Sequence, residues 1–161
     1  MNPSGTQIEK MPGDGNCLFH AVGRGKFLLE PASTDKASPP AEALGAARIR
    51  AEIGVHLAKY RDKYEQFFDG LCPMSKKCAN WDDYVTQIKL PTKWGGSVEI
   101  SAMARKYDLR IVVFPKDVDK PIAVFHNAAA ITIVLWYTGD HYDLLMPITG
   151  ATYSDELTQL K

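Results

Sequence analysis

The chain has 161 residues and 45% hydrophobic content, enough for one compact core but short for two, so we expect a single domain. Nineteen Lys plus Arg balance nineteen Asp plus Glu, which excludes a global field that attracts nucleic acid or a membrane surface, and we expect neither as a partner. The sequence has no secretory h-region near its start and no apolar run near the roughly 18 residues of a membrane-spanning helix, so we expect a cytoplasmic monomer.

The three cysteines form an odd set without a disulfide framework. This pattern favours a reducing compartment and at least one free thiol. Cys72 and Cys78 flank Pro73 with no histidine at metal-ligand spacing, so we interpret them as ordinary surface or core thiols rather than zinc ligands.

The first elements surround a glycine-containing turn. Residues 1–10 are polar, and we expect them to lie loosely ahead of the core. Residues 11–15 combine proline and glycine and predict a turn, after which a helix begins near Asn16 or Cys17. The segment Glu30–Pro40 is rich in Pro, Ser and Ala, and it predicts a mobile surface loop.

Three helical patterns follow. The first, capped at Ser38, spaces its apolar residues along one buried face and places His56 beside it, where we expect a packed histidine rather than a catalytic one. That face comprises Ile49, Ile53, Leu57 and Tyr60. The second begins at Asn80 and stops before Pro91, and the third runs over residues 98–107.

The pattern then changes to β-branched and aromatic runs separated by Pro, Asp, Asn and Gly. The predicted strands are Leu109–Phe114, Ile122–His126, Ile131–Tyr137 and Tyr142–Met146. Because helices come first and strands second, the sequence predicts an α+β fold in which helices pack around a small, largely antiparallel sheet.

A nucleophile and a base are recognisable far apart in this chain. Cys17 stands where the glycine turn enters a helix, and His141 lies in the polar run Gly139–Asp143. We expect the helix N-terminus and a neighbouring imidazolium to lower the pKa of Cys17, so that a thiolate exists at neutral pH. The hypothesis is a cysteine hydrolase, in which a thiol attacks a carbonyl and an imidazole exchanges protons.

Two acids compete to orient His141. Asp143 lies two residues later, on the same face of a strand, and is the first choice. Asp14 remains the second choice, although we assign it to supporting an oxyanion hole built from the backbone of Asp14, Gly15, Asn16 and Cys17. His20 lies one helical turn after Cys17 but has no obvious orienting acid, so we consider it an unlikely base.

Three blocks of this sequence resemble the ovarian tumour (OTU) family of deubiquitinating cysteine proteases. They are the run Asp14–Phe19, the run Trp94–Gly96 followed by Glu99 and Ala102, and the run His141–Asp143. The resemblance extends over residues 11–147 and implies one catalytic domain spanning residues 1–161. It implies a papain-like core that uses no metal or organic cofactor.

The same resemblance implies roles for individual residues. Cys17 becomes the nucleophile, His141 the general base and Asp143 the third member, while Asp14 matches the acidic position that begins the cysteine block. Trp94, Gly95 and Gly96 match scaffold and cleft positions.

The implied substrate is ubiquitin, polyubiquitin or a ubiquitin-like modifier, joined through an isopeptide bond. We expect Trp94, Gly95 and Tyr142 to line a cleft for the modifier's narrow tail, and the segments Glu30–Pro40 and Tyr64–Met74 to contact its globular body. An effector or viral protein would act in the host cytosol.

Three alternatives stay open on the sequence. The same thiol and imidazole serve any acyl transfer, so a cysteine protease or deamidase acting on a non-ubiquitin substrate fits equally. The other two are a non-catalytic ubiquitin-binding module and a plain interaction domain.

Overall fold

The computed structural model describes residues 5–29, 42–68, 71–72, 76–148 and 153. Its helices are α1 (Cys17–Leu29), α2 (Glu42–Lys59), α3 (Arg61–Tyr64), α4 (Trp81–Ile88) and α5 (Ser97–Lys106), and a single 3₁₀ turn covers Glu65–Phe67. Its strands are β1 (Thr6–Glu9), β2 (Leu71–Cys72), β3 (Lys76–Lys77), β4 (Leu109–Pro115), β5 (Ala123–Phe125), β6 (Ile131–Tyr137) and β7 (Tyr142–Pro147). The predicted loop Glu30–Pro40 and the predicted cap at Ser38 lie outside the described residues.

Five strands form one mixed sheet in the order β1-β7-β6-β4-β5. The chain runs up β4 and back down β5, so β6 starts at the same end as β4 and pairs with it in parallel, with Leu109 opposite Ile131. The other three pairings are antiparallel. The predicted α+β fold with a small, largely antiparallel sheet is therefore confirmed.

The first strand contradicts the expectation that residues 1–10 lie loosely. β1 pairs antiparallel with β7, with Thr6 opposite Pro147 and Ile8 opposite Leu145. Ile8 is the one strongly apolar residue of β1, so the strand is held by its main-chain pairing more than by a hydrophobic pattern. This pairing delivers the chain that follows β1 to the β7 side of the sheet.

The sheet separates a large core from a small one because strand side chains alternate between its faces. On the helical face, Leu109, Ile111 and Ile133 join the buried side chains of the helices in one cluster. On the other face, Val112, Phe114, Val134, Trp136 and Leu145 form the small cluster, partly covered by Tyr153. The helical layer therefore lies on one face of the sheet.

Helix α1 approaches its neighbours closely through two glycines. A Cβ atom on Gly23 would come within 2.7 Å of Ile49 in α2, and one on Gly25 would come within 3.1 Å of both Ile133 and Leu144. Close approach therefore explains why α1 contains glycines that weaken an isolated helix. The arrangement seats α1 against β6 and β7, which brings the residues at its start near the start of β7.

The other helical predictions hold apart from one face residue. Ile53 and Leu57 are fully buried in α2, but Tyr60 lies beyond its end and is 36% exposed, so its assignment to the buried face was wrong. Asn80 caps α4 as predicted, accepting a hydrogen bond from the Asp83 N–H at 2.9 Å. His56 is a packed histidine, bonded to the Tyr64 hydroxyl at 2.8 Å. Within the described ranges, no helix combines the length and the apolar character needed to span a bilayer.

Candidate active site

Cys17 is the first residue of α1, and a tight turn holds it there. Gly15 has a φ of +87°, and a Cβ atom at this position would lie 3.2 Å from the carbonyl oxygen of Thr92. Both constraints require glycine. The Asn16 N–H donates to Asp14 Oδ1 at 3.0 Å, which closes the turn ahead of the helix. The predicted glycine turn feeding a helix is therefore present.

The Cys17 thiol is largely buried, with 8% of the residue exposed, and it is a free cysteine. Burial raises its pKa above the ordinary value, while the backbone N–H groups of Tyr142 and Leu18 favour the thiolate and act in the opposite direction. The expectation of a lowered thiol pKa is therefore wrong. The contribution of the Tyr142 N–H places the sulfur beside the first residue of β7.

His141 and Asp143 form a direct pair at that same strand. His141 Nε2 lies 2.7 Å from Asp143 Oδ1, so the other ring nitrogen, Nδ1, is not used by this contact. In the part of the chain that is described, no hydrogen bond joins the Cys17 thiol to the His141 ring. The His141 ring is therefore held by Asp143 and not by the thiol.

Asp143 is held by the chain that follows β1. Its carboxylate is 1% exposed, Oδ1 accepts a hydrogen bond from the Met11 N–H at 2.7 Å, and Oδ2 lies 3.4 Å from Lys10 Nζ. The backbone donor and the ammonium group thus hold the Asp143 side chain in position. The strand that the sequence did not reveal thus delivers two of the contacts that fix this acid.

Asp14 faces a different partner. Its Oδ2 lies 3.3 Å from His20 Nε2, and its side chain is 47% exposed. Burial pushes the pKa of Asp14 upward, but the hydrogen bonds from Asn16 and His20 outweigh it and leave the pKa below its ordinary value. His20 therefore does have an acidic neighbour, contrary to expectation, and it is Asp143 rather than Asp14 that the structure places on His141.

Arg50 is a site residue that the sequence did not reveal. It is 3% exposed, and its guanidinium donates to Gly15 O at 3.0 Å, to Asn16 Oδ1 at 2.9 Å and to Ile88 O at 2.7 Å. It also lies over the ring of Phe19, 4.3 Å from the ring centre. Burial lowers the pKa of Arg50 to about 10, which leaves it cationic at neutral pH. A fixed positive charge therefore anchors the turn that carries Cys17.

The middle sequence block supports the same turn from the other side. A Cβ atom on Gly95 would come within 2.6 Å of Leu18, so this segment packs directly against the start of α1. Glu99 is fully buried and accepts hydrogen bonds from the Gly96 N–H at 2.7 Å and the Tyr84 hydroxyl at 2.5 Å. The block is therefore scaffold for the turn, as the sequence indicated.

The residues predicted to contact substrate occupy mixed positions. Trp94 is 44% exposed. Tyr142 is half-buried and stacks on Tyr137, with the ring centres 4.8 Å apart. Their predicted role in holding a modifier's tail stays a prediction. So does the role of the segment Tyr64–Met74, of which residues 69–70 and 73–74 lie outside the described part.

Cys78 is disulfide-bonded, so the interpretation of this residue as an ordinary thiol is wrong. No cluster of three His, Cys, Asp or Glu side chains suited to a metal ion is present in the described ranges. Cys17 is thus the free thiol in the described part of the site.

The sequence and the fold of this chain are both similar to those of known proteins. The sequence model of the OTU-like cysteine protease family matches residues 12–142. OTU domain-containing protein 4 of Mus musculus is 28% identical over 137 residues, which cover 84% of this chain and 10% of that protein. Ovarian tumor domain-containing deubiquitinating enzyme 2 of Arabidopsis thaliana is 27% identical over 153 residues, covering 92% of this chain and 62% of that enzyme.

Solved structures give the same fold. An OTU domain in complex with ubiquitin superposes with a TM-score of 0.64 at 22% identity, covering 88% of this chain and 69% of that one. An OTU deubiquitinase of Wolbachia pipientis wMel bound to ubiquitin gives a TM-score of 0.66 at 15% identity, covering 90% and 98%. The chain spans only about a tenth of OTU domain-containing protein 4, so the comparison concerns one domain of that protein.

Proposed function

Because this chain belongs to the OTU-like cysteine protease family, we propose that it is a thiol-dependent deubiquitinase that hydrolyses isopeptide bonds at the C-terminus of ubiquitin or a ubiquitin-like modifier. The observation that carries the proposal is the pairing of His141 Nε2 with buried Asp143 at 2.7 Å, at the strand start whose Tyr142 N–H faces the Cys17 sulfur. A nucleophile, a base and an orienting acid thereby converge from the two ends of the chain.

The reaction runs through an acyl-enzyme. The Cys17 sulfur attacks the carbonyl carbon of the modifier's C-terminal residue while His141 takes the thiol proton. The C–N bond then breaks, His141 gives the proton to the departing lysine amine, and a thioester to Cys17 remains. Water, deprotonated by His141, attacks the thioester, and the modifier leaves as a carboxylate with the thiol restored. Asp143 holds the imidazole in the orientation that both proton transfers need.

The oxyanion formed in each attack requires donors near Cys17. The Asn16 N–H already donates to Asp14, so it cannot also donate to the oxyanion. The backbone of Asn16 is therefore removed from the predicted oxyanion hole. The Cys17 N–H lies at the open N-terminus of α1, where helical N–H groups lack intrahelical acceptors. Asn16 Oδ1 is held by Arg50, which leaves its side-chain amide as a second donor. Arg50 acts here as a positioning residue.

The substrate class is supported by what the relatives are named for. The Arabidopsis relative is named a deubiquitinating enzyme, and two of the structural neighbours hold ubiquitin. For this chain, ubiquitin or polyubiquitin is accordingly the proposed partner, taken up by a monomer in the cytoplasm. The exposed Trp94 and the partly buried Gly95 and Tyr142 form the proposed channel for the tail.

Hydrolysis of a panel of di-ubiquitins tests the proposal. Wild-type protein is expected to release mono-ubiquitin from at least one linkage, and His141→Ala is expected to abolish the release. His126→Ala is the matched control, because His126 also pairs with an aspartate at 2.7 Å but lies after β5. If folded wild-type protein left every linkage intact, or if both variants lost activity equally, the assignment would fall.

A further inference from the structure

A pocket distinct from the site above lies where the ends of α2 and α5 meet α3. Its volume is about 550 Å³, within the range of about 300–1,000 Å³ usual for small-molecule sites. Four permanent cations line it, namely Lys59, Lys63, Arg105 and Lys106, together with His56 and Tyr60. Cys17, His141 and Asp143 do not, so the pocket belongs to another part of the molecule.

The four cations are exposed, and in the described ranges none of them forms an ion pair with a carboxylate. Lys59 Nζ and Lys63 Nζ lie 5.3 and 5.2 Å from the centre of the Tyr60 ring. Two ammonium groups of like charge therefore contact the same aromatic ring. Elsewhere on the surface, Arg24 and Arg61 each contact a carboxylate at 2.7 Å. What distinguishes the pocket is therefore that four cations without an ion pair among the described residues line one cavity.

The two acids near the pocket form hydrogen bonds with residues other than the four cations. Glu52, the carboxylate in its wall, accepts hydrogen bonds from the Tyr107 hydroxyl at 2.7 Å and from Arg48 at 3.0 Å. Asp108 is bonded to His126 at 2.7 Å. The C-termini of α2 and α5 add about half a negative charge each, which explains why basic residues favour these helix ends but is smaller than four full charges.

His56 lies in the pocket wall, where the positive charges of the lysines act on it. Burial lowers the pKa of His56, and the charges of Lys106, Lys63 and Lys59 lower it further. Three ammonium groups, one each on α2, α3 and α5, thus act on the same imidazole ring. Tyr64 fixes the ring through its hydroxyl, so His56 stays in place as a neutral group.

We propose that this pocket binds a small anion bearing more than one phosphate group. Ammonium groups serve phosphate oxygens as point charges, and the planar guanidinium of Arg105 offers a fork that matches them. The concave shape selects a compact ligand. Because four cations outnumber the single carboxylate of Glu52 in the wall, binding of an anion replaces repulsion between cations by attraction.

Titration with inorganic triphosphate, followed by amide chemical shifts at low ionic strength, tests the pocket. Saturable shifts confined to the ends of α2 and α5 and to α3 are expected, with the pKa of His56 rising as the anion offsets the lysine charges. Lys63→Glu and Lys106→Glu should each weaken the affinity at least about tenfold. Lys120→Glu, in the exposed connection between β4 and β5, makes the same charge change and should leave the affinity nearly unaltered.

Three results would overturn the assignment. One is the absence of saturation at millimolar triphosphate. Another is equal weakening by Lys63→Glu and Lys120→Glu, which would reduce the effect to overall charge. The third is equally tight binding of citrate, which would remove the phosphate selectivity. Thermal unfolding of each variant excludes misfolding as the cause, and none of these readouts depends on peptidase activity.

Discussion

Replacing Arg50 by Met tests whether a buried cation organises the catalytic turn. The substitution keeps an unbranched side chain against Phe19 but leaves the carbonyls of Gly15 and Ile88 without their donor. A buried acceptor left unsatisfied costs about 1–3 kcal/mol, so two of them predict a loss of about 3 kcal/mol in the free energy of unfolding. That loss is smaller than the stability of a typical domain, and the variant should still fold.

The functional effect should exceed the structural one. Without its anchor the turn can shift Cys17 and the Asn16 amide relative to the reacting carbonyl, and displacements of about 1 Å cost up to about a hundredfold in rate. We expect kcat on a fluorogenic ubiquitin substrate to fall about tenfold to a hundredfold, with KM changing far less. Denaturant unfolding measures the stability of the same samples.

Arg48→Met is the matched control for this substitution. Arg48 lies two residues earlier in α2, its side chain is 80% exposed, and its surface ion pair with Glu52 is worth less than about 1 kcal/mol. If Arg50→Met matched Arg48→Met in both stability and kcat, the anchoring role of Arg50 would be refuted.

Three further predictions concern the acids and the thiol. Asp143→Ala should reduce kcat about a hundredfold or more by releasing His141, whereas Asp14→Ala should mainly cost about 1 kcal/mol of stability; the opposite ranking in paired kinetic and unfolding measurements would exchange their roles. Burial raises the pKa of Glu99 from 4.5 to about 7, so the folded state retains a proton that the unfolded state releases, and stability should decline by about 3 kcal/mol as the pH rises through this range. Glu99→Gln should remove that decline in pH-dependent denaturant unfolding, and an unchanged slope would contradict it. Because burial raises the pKa of Cys17, its alkylation in the ligand-free protein should keep accelerating as the pH rises above neutral, and a plateau below neutral pH would count against the buried resting state.

The parts of the site that the sequence revealed are those encoded by short-range spacing. Asp143 follows His141 by two residues in a strand, which places both side chains on one face, and the structure joins them at 2.7 Å. Asn80 lies three residues before the N–H that it caps. Patterns of this kind are local, so they survive without any knowledge of the tertiary fold.

The features that the sequence did not reveal depend on contacts between residues that are far apart in the chain. Arg50 sits on a helix where a charged residue ordinarily indicates a solvent-facing position, and only the packing of α2 against the turn at Gly15 buries it. β1 exists because β7 offers a free edge, while its own residues carry a single strong apolar signal in Ile8.

The direction in which the pKa of Cys17 is shifted could also not be predicted from the sequence. A helix N-terminus predicts a lowered thiol pKa, and the effect of backbone N–H groups is present, from Leu18 and Tyr142. Desolvation outweighs it because tertiary packing covers the sulfur. Propensity and spacing select Cys17 as the candidate nucleophile, but burial governs the direction in which the pKa of its thiol is shifted.

Reaction with ubiquitin that carries a thiol-reactive group at its C-terminus, read by intact mass, tests the central claim most directly. The wild-type protein should form one covalent adduct located on Cys17, and Cys17→Ala should form none. If the folded protein failed to react with ubiquitin and with ubiquitin-like modifiers while a small alkylating agent labelled Cys17, the thiol would be competent and the deubiquitinase assignment wrong.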